Sequence, residues 1–203
     1  MKPSSSALRL IRWSAWILLA LVAGAVGLSA VLDRSAPEPP RAALQVGGPF
    51  ALTDHDGRAV TEKTWAGRPH AVFFGFTHCP DICPTTLTEI GDMLAQLGPA
   101  GARLAVLFIT VDPERDTPEV LKDYLAHFDP RVTGLSGTPA QVRAVVESWG
   151  VYARRVPIGD DYTMDHTASV FLFGADGAFR GTIDLHDETP GANLEKLRRL
   201  VAR

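Results

Sequence analysis

The chain has 203 residues, is 46% hydrophobic and carries 20 basic against 23 acidic side chains, for a formal charge of −3. That length holds one domain of ordinary size with a core of its own, without a disulfide scaffold. Four of the basic and one of the acidic side chains fall within residues 1–34, which leaves residues 35–203 near −6. This sign argues against nucleic acid as a partner and against an electrostatic contact with anionic lipid.

Trp13 to Leu32 contains no ionisable residue, and about 20 residues at 1.5 Å each cross a bilayer. We expect a transmembrane anchor at 13–32, after a cytoplasmic segment at 1–12 whose Lys2, Arg9 and Arg12 keep the N-terminus inside. Leu28, Ser29 and Ala30 offer a cleavage site for a signal peptide instead, but the apolar run exceeds the ~7–15 residues of a signal core. Either reading exports the remainder. The expected arrangement is a single pass through the cytoplasmic membrane with the C-terminal domain in the periplasm or another exported compartment. Residues 33–49, which include SAPEPPRAALQVGGP, read as a semi-extended tether. The folded domain then occupies 50–203.

Within it, FALTDHDGRAVTEKTW has two short alternating segments around Asp56-Gly57, the signal of a hairpin. HAVFFGF is an unbroken apolar run suited to a central strand covered on both faces. A helix is predicted from about Pro84, with Leu87, Ile90, Leu94 and Leu97 on one side. RLAVLFITV is a second buried strand. TPEVLKDYLAHF begins with a Thr cap, Pro and an acidic first turn, and offers Val120, Leu121, Tyr124, Leu125 and Phe128 as its apolar face. Residues 138–149 repeat that logic. ASVFLFGADGAFRGTID is a hairpin around Asp176-Gly177, and GANLEKLRRLVAR closes the chain as an amphipathic helix. The order predicts a three-layer α/β domain.

The only two cysteines, Cys79 and Cys83, stand four apart in FFGFTHCPDICPTTL, between a buried strand and the first turn of a helix. Ligands bind at that edge of an open α/β sheet, and the positive end of a helix makes thiols easier to ionise. Two cysteines in an exported domain are ordinarily one structural disulfide. Residues four apart on a helix also have Cβ atoms about 5–6 Å apart, close enough to form a disulfide after adjustment or to clamp one soft metal ion. Spacing does not choose between these.

FTHCPDICP, ITVDPERDTPEVLKDYLAHFDP and DHTASVFLFGADG together resemble the Sco/SenC family, from about Phe50 to the C-terminus. The resemblance implies a membrane-anchored, thioredoxin-like fold with a central mixed sheet. It also implies copper bound by Cys79, Cys83 and His166, as Cu(I) and also Cu(II). The implied role is that of a metallochaperone, not an enzyme, for the dinuclear copper site of cytochrome c oxidase subunit II or another copper-recipient protein. Other copper carriers or thiol reductants are the implied further partners. Two thiolates and one imidazole suit three-coordinate Cu(I), whereas structural zinc asks for four ligands. Asp165 is the candidate to orient the His166 ring as a hydrogen-bond acceptor, against the alternative of a capping residue. The loop TMDHTAS puts a histidine where thioredoxins carry a cis-proline, which favours metal over general dithiol exchange.

The rival reading is an exported thiol-disulfide oxidoreductase that reduces the recipient's cysteines, redox-active at Cys79 and Cys83. A peroxidase of peroxiredoxin type needs a threonine three residues before the attacking cysteine, and those positions are Phe76 and Pro80. His78 is expected to face solvent, Met164 to fill a packing gap, and His55, His70, His127 and His186 carry no assigned function. The charges of DPERD, residues 112–116, are read as caps of the following helix.

Overall fold

The computed structural model describes residues 13, 16–24, 46–185 and 190–202. The chain divides into two units, Met1–Ala43 and Leu44–Arg203. In the first, residues 16–24 are helical and exposed, with Trp16, Leu18 and Leu21 each more than 60% accessible. Half of the expected anchor at 13–32 lies outside the described residues, as does the tether up to residue 45. Among the described residues no helix is long and apolar enough to cross a membrane.

The second unit is built on a seven-stranded mixed sheet. Its strands are β1 (Ala51–Asp54), β2 (Ala59–Thr61), β3 (His70–Gly75), β4 (Ala105–Thr110), β5 (Val132–Ser136), β8 (Val170–Phe173) and β9 (Phe179–Ile183), in the order β2-β1-β5-β4-β3-β8-β9. A separate two-stranded ribbon pairs β6 (Ala153–Ile158) with β7 (Asp161–His166). The helices are α1 (Ile82–Gln96), α2 (Pro118–Leu125), α3 (Pro139–Ser148) and α4 (Pro190–Val201).

β3 and β4 run parallel at the centre, joined through α1, and all of Val72, Phe73, Phe74, Val106, Phe108 and Ile109 are sealed from solvent. Burial of successive residues, not alternate ones, means that both faces of the sheet are covered, as the unbroken apolar runs predict. The β1–β2 hairpin closes as expected: Asp54 Oδ1 accepts the backbone N–H groups of Asp56 and Arg58 at 2.9 and 2.8 Å, and Gly57 takes the left-handed φ of +82° that the turn needs. Thr117 and Thr138 cap α2 and α3 by accepting from Val120 N and Gln141 N, each at 3.3 Å.

Several expectations need correction. β5 was not predicted; its VTGLS sequence is short and interrupted by glycine. Leu121 and Leu125 bury the inner face of α2, but Val120 is exposed, and the helix ends at Leu125 instead of continuing to Phe128. The largest difference is the β6–β7 ribbon, which takes in the first four residues, 163–166, of the stretch read as a loop. His166 is therefore the last residue of a strand.

Candidate metal centre

β3 ends at Gly75, and α1 begins at Ile82. The intervening turn is closed by Cys79 N donating to the Phe76 carbonyl at 3.3 Å. Asp81, at the N-cap, makes no side-chain bond to the helix backbone. The Cys79 sulfur serves instead, accepting the free N–H of Cys83 at 3.4 Å. A first-turn N–H without a helical partner therefore places a partial positive charge on that sulfur.

Cys83 is fully buried and Cys79 half-buried, and both are free thiols. Burial of Cys83 requires Gly75. A Cβ on that residue would stand 2.9 Å from the Cys83 sulfur and 2.6 Å from Cε2 of Phe108. The third member arrives from the ribbon. His166 Nε2 lies 3.7 Å from Cys83 Sγ, and the three donor atoms of Cys79, Cys83 and His166 all fall within 4.8 Å of one another. Among the described residues no further Cys, His, Asp or Glu joins this group.

The imidazole is held for that task. Its Nδ1 is 3.0 Å from the Thr167 carbonyl oxygen, an acceptor only, so Nδ1 carries the proton and Nε2 turns its lone pair to the sulfurs. Phe73 and Phe76 pack edge-on against the ring. Asp165 is exposed and, one residue along an extended strand, points away from the face that carries His166. The backbone of Thr167 holds the position considered for Asp165.

The two thiols divide one proton unequally. The hydrogen bond from Cys83 is the largest influence on the Cys79 pKa and lowers it; burial opposes it, and backbone N–H donors lower it further. The same bond raises that of Cys83, and burial adds to it. The result is one accessible thiolate beside one protonated, enclosed thiol. Such a pair offers a soft anionic donor at the surface and a second in reserve.

Behind the site lies the loop 112–116. Asp112 and Asp116 are both buried, so their charges do not simply cap α2, whose cap is Thr117. Asp116 accepts from Thr77, two residues before Cys79, and from Thr110. Sequence reasoning missed this role, although two acidic residues four apart next to the end of an apolar strand were its visible signal. The other candidates behave as plain structure. His78 is exposed. His55 accepts from Gly134 N at 2.9 Å, and His70 stacks on Phe173. His127 is exposed, and His186 lies outside the described residues. Met164 is partly buried against the core.

The SCO1/SenC family model matches residues 38–202. The chain belongs to the SCO1/SenC family. Protein SCO2, mitochondrial, of Saccharomyces cerevisiae is 38% identical over 205 residues, 94% of this chain and 67% of its own length. The SCO2-like protein of Rickettsia felis is 34% identical over 209 residues, covering 98% of this chain and 99% of its own. Among solved structures, Bradyrhizobium japonicum ScoI with copper bound is 49% identical, with a TM-score of 0.71 over 76% of this chain and 99% of that one. Yeast Sco1 with copper bound is 37% identical, also at 0.71, over 78% and 89%. The mixed α/β domain with its central mixed sheet is thus the fold of the Sco proteins.

Proposed function

We propose that this chain is a copper-binding metallochaperone that assists assembly of the dinuclear copper site of cytochrome c oxidase subunit II, with copper held by Cys79, Cys83 and His166. The observation that carries this reading is the convergence of two sulfurs and one imidazole nitrogen within 4.8 Å. Soft thiolates with an imidazole select Cu(I), and three ligands suffice for it where structural zinc takes four. Copper-bound structures of relatives in the same family support the assignment. The exposed apolar helix at 16–24 supports a membrane anchor at 13–32 that holds the domain in the periplasm or an equivalent exported compartment. An anaerobic titration of the reduced, detergent-solubilised chain with Cu(I) tests the assignment. One copper per chain is expected, with affinity severely weakened in a folded His166→Ala variant; unchanged affinity there rejects His166 as a ligand.

One observation favours a second reading, a thiol-disulfide oxidoreductase acting on the recipient's cysteines. An accessible thiolate beside a buried protonated thiol is also the arrangement of a dithiol reductant. Cys79 would attack the partner's disulfide, expelling one partner thiolate. Cys83 would then displace the second, leaving a Cys79–Cys83 disulfide and a reduced partner. His166 separates the two readings. His166→Ala should abolish copper delivery and spare thiol exchange; normal oxidase copper content in that variant makes the reductase reading the correct one.

A further inference from the structure

β6 and β7 share no ladder hydrogen bonds with the seven-stranded sheet. The position of His166 therefore depends on what fastens the ribbon elsewhere. Along β7, side chains two apart face the same way, so Tyr162, Met164 and His166 lie on one face. His166 reaches the thiols, Met164 packs against the core, and Tyr162 is tied to the loop 112–116.

That tie is extensive. The Tyr162 hydroxyl donates to Oδ1 of buried Asp112 at 2.9 Å. The guanidinium of Arg115 lies 3.7 Å from the Tyr162 ring centroid and that of Arg155 lies 3.9 Å from it. Arg115 Nη1 donates to the Tyr162 carbonyl at 3.1 Å, while its Nε is paired with Asp112. Arg155 is paired with Glu114. One end of the loop thus grips the histidine ribbon, and the other, through Asp116, grips Thr77 ahead of Cys79.

We propose that Tyr162, clasped by Arg115, Arg155 and Asp112, is a positioning residue that holds His166 at ligand distance from the two thiols. This rests on the copper-binding reading for its metal readout, but the placement of the imidazole is independent of it. Cations over an aromatic face attract it, and loss of groups that orient a metal ligand typically weakens binding tenfold to a hundredfold. Tyr162→Leu removes both the ring and the hydroxyl, whereas Tyr162→Phe keeps the ring between the guanidiniums.

The test uses the detergent-solubilised full chain. Tyr162→Leu should weaken Cu(I) binding about tenfold to a hundredfold with thermal unfolding still cooperative, and Tyr162→Phe should recover most of that loss. In a His166→Ala background, Tyr162→Leu should have no further effect on Cu(I) affinity. Without metal, the imidazole nitrogen signals of His166 should report a fixed Nδ1–H tautomer in the parent chain and an averaged ring in Tyr162→Leu. Equal losses with and without His166, or a parent-like imidazole signal in Tyr162→Leu, overturn the proposal. Should Tyr162→Leu not fold, Arg155→Gln decides, with a smaller change in the same imidazole signals expected and an unchanged spectrum against it. If the parent chain takes up no copper, the copper-binding reading fails and the imidazole signals alone judge Tyr162.

Discussion

Thr77 donates both its backbone N–H and its hydroxyl to the carboxylate of Asp116, at 3.0 and 2.6 Å. The Thr110 hydroxyl supplies a third bond at 2.6 Å, and the carboxylate is fully buried. Three neutral donors, with no cation paired to it among the described residues, hold the strand-to-helix turn that presents Cys79.

This arrangement leaves a signature in the pH dependence of stability. Burial is the largest influence on Asp116 and raises its pKa, with the Thr110 and Thr77 bonds opposing it. A carboxyl whose pKa is raised on folding favours the folded state most when protonated. That contribution is complete below the unfolded value of about 3.9 and is lost as pH rises through the elevated folded value. Asp116→Asn has no such loss. Urea unfolding of both proteins from pH 4 to 8 should show the parent losing stability relative to the variant as pH rises through the weakly acidic range. A constant difference across the series contradicts the burial of a titrating carboxyl.

The two cysteines should differ sharply toward alkylation. At pH 6 an ordinary thiol, with a pKa of about 8.5, is almost wholly protonated, yet Cys79 is held as thiolate by its bond from Cys83 and is half-exposed. Iodoacetamide at pH 6 should label Cys79 quickly and leave Cys83 untouched until the protein unfolds. Cys83→Ala should slow labelling of Cys79 by removing the principal donor to it. Peptide mass mapping over time checks both, and equal labelling of the two thiols is the contrary result.

Gly75→Ala probes the floor of the site. Its added methyl would meet the Phe108 ring at 2.6 Å and the Cys83 sulfur at 2.9 Å. Overpacking of this kind costs about 1–3 kcal/mol. Because the sulfur is one of the two atoms that must yield, copper affinity should fall together with the denaturation midpoint. Unfolding curves and a copper titration on the same preparation measure the pair of effects.

Copper loading and disulfide formation should exclude each other. The sulfurs lie within 4.8 Å, and a disulfide would draw them to about 2.05 Å, removing both thiolates as ligands. The oxidised chain should take up little copper until a reductant is added, and preloading with Cu(I) should slow its oxidation. Parallel titrations of the oxidised and reduced chain test this, and equal uptake by both would falsify it.

How much of this was legible in the sequence follows from where each segment is buried. β3 and β4 were plain because strands enclosed on both faces read as continuous apolar runs. The ribbon was not. ARRVPI and DYTMDH are mostly exposed or half-exposed, so they show no clean alternation, and their register comes from each other and not from the core. His166 was singled out by its motif, yet its strand geometry was missed, and with it the shared face of Tyr162, Met164 and His166. Cys79 and Cys83 were read as sharing the first turn of a helix, whereas Cys79 lies in the turn before α1 and only Cys83 is within it. Asp112 and Asp116 were misread because charges before a helix usually cap it, and only three-dimensional contact shows them turned inward.

A two-stranded ribbon is at best marginally stable when isolated, and this one borrows its rigidity from side chains instead of a neighbouring strand. Protection of backbone amides from hydrogen exchange should therefore be graded. β3 and β4 would exchange only through global unfolding, while β6 and β7 open as a smaller cooperative unit at lower free energy. Opening of that unit would swing the imidazole away and leave the two thiols in place, one in the turn after β3 and one in the first turn of α1. A ligand set divided between a rigid body and a separately hinged arm can give up one donor at a time, so cargo could pass to an incoming thiol without disassembly of the domain.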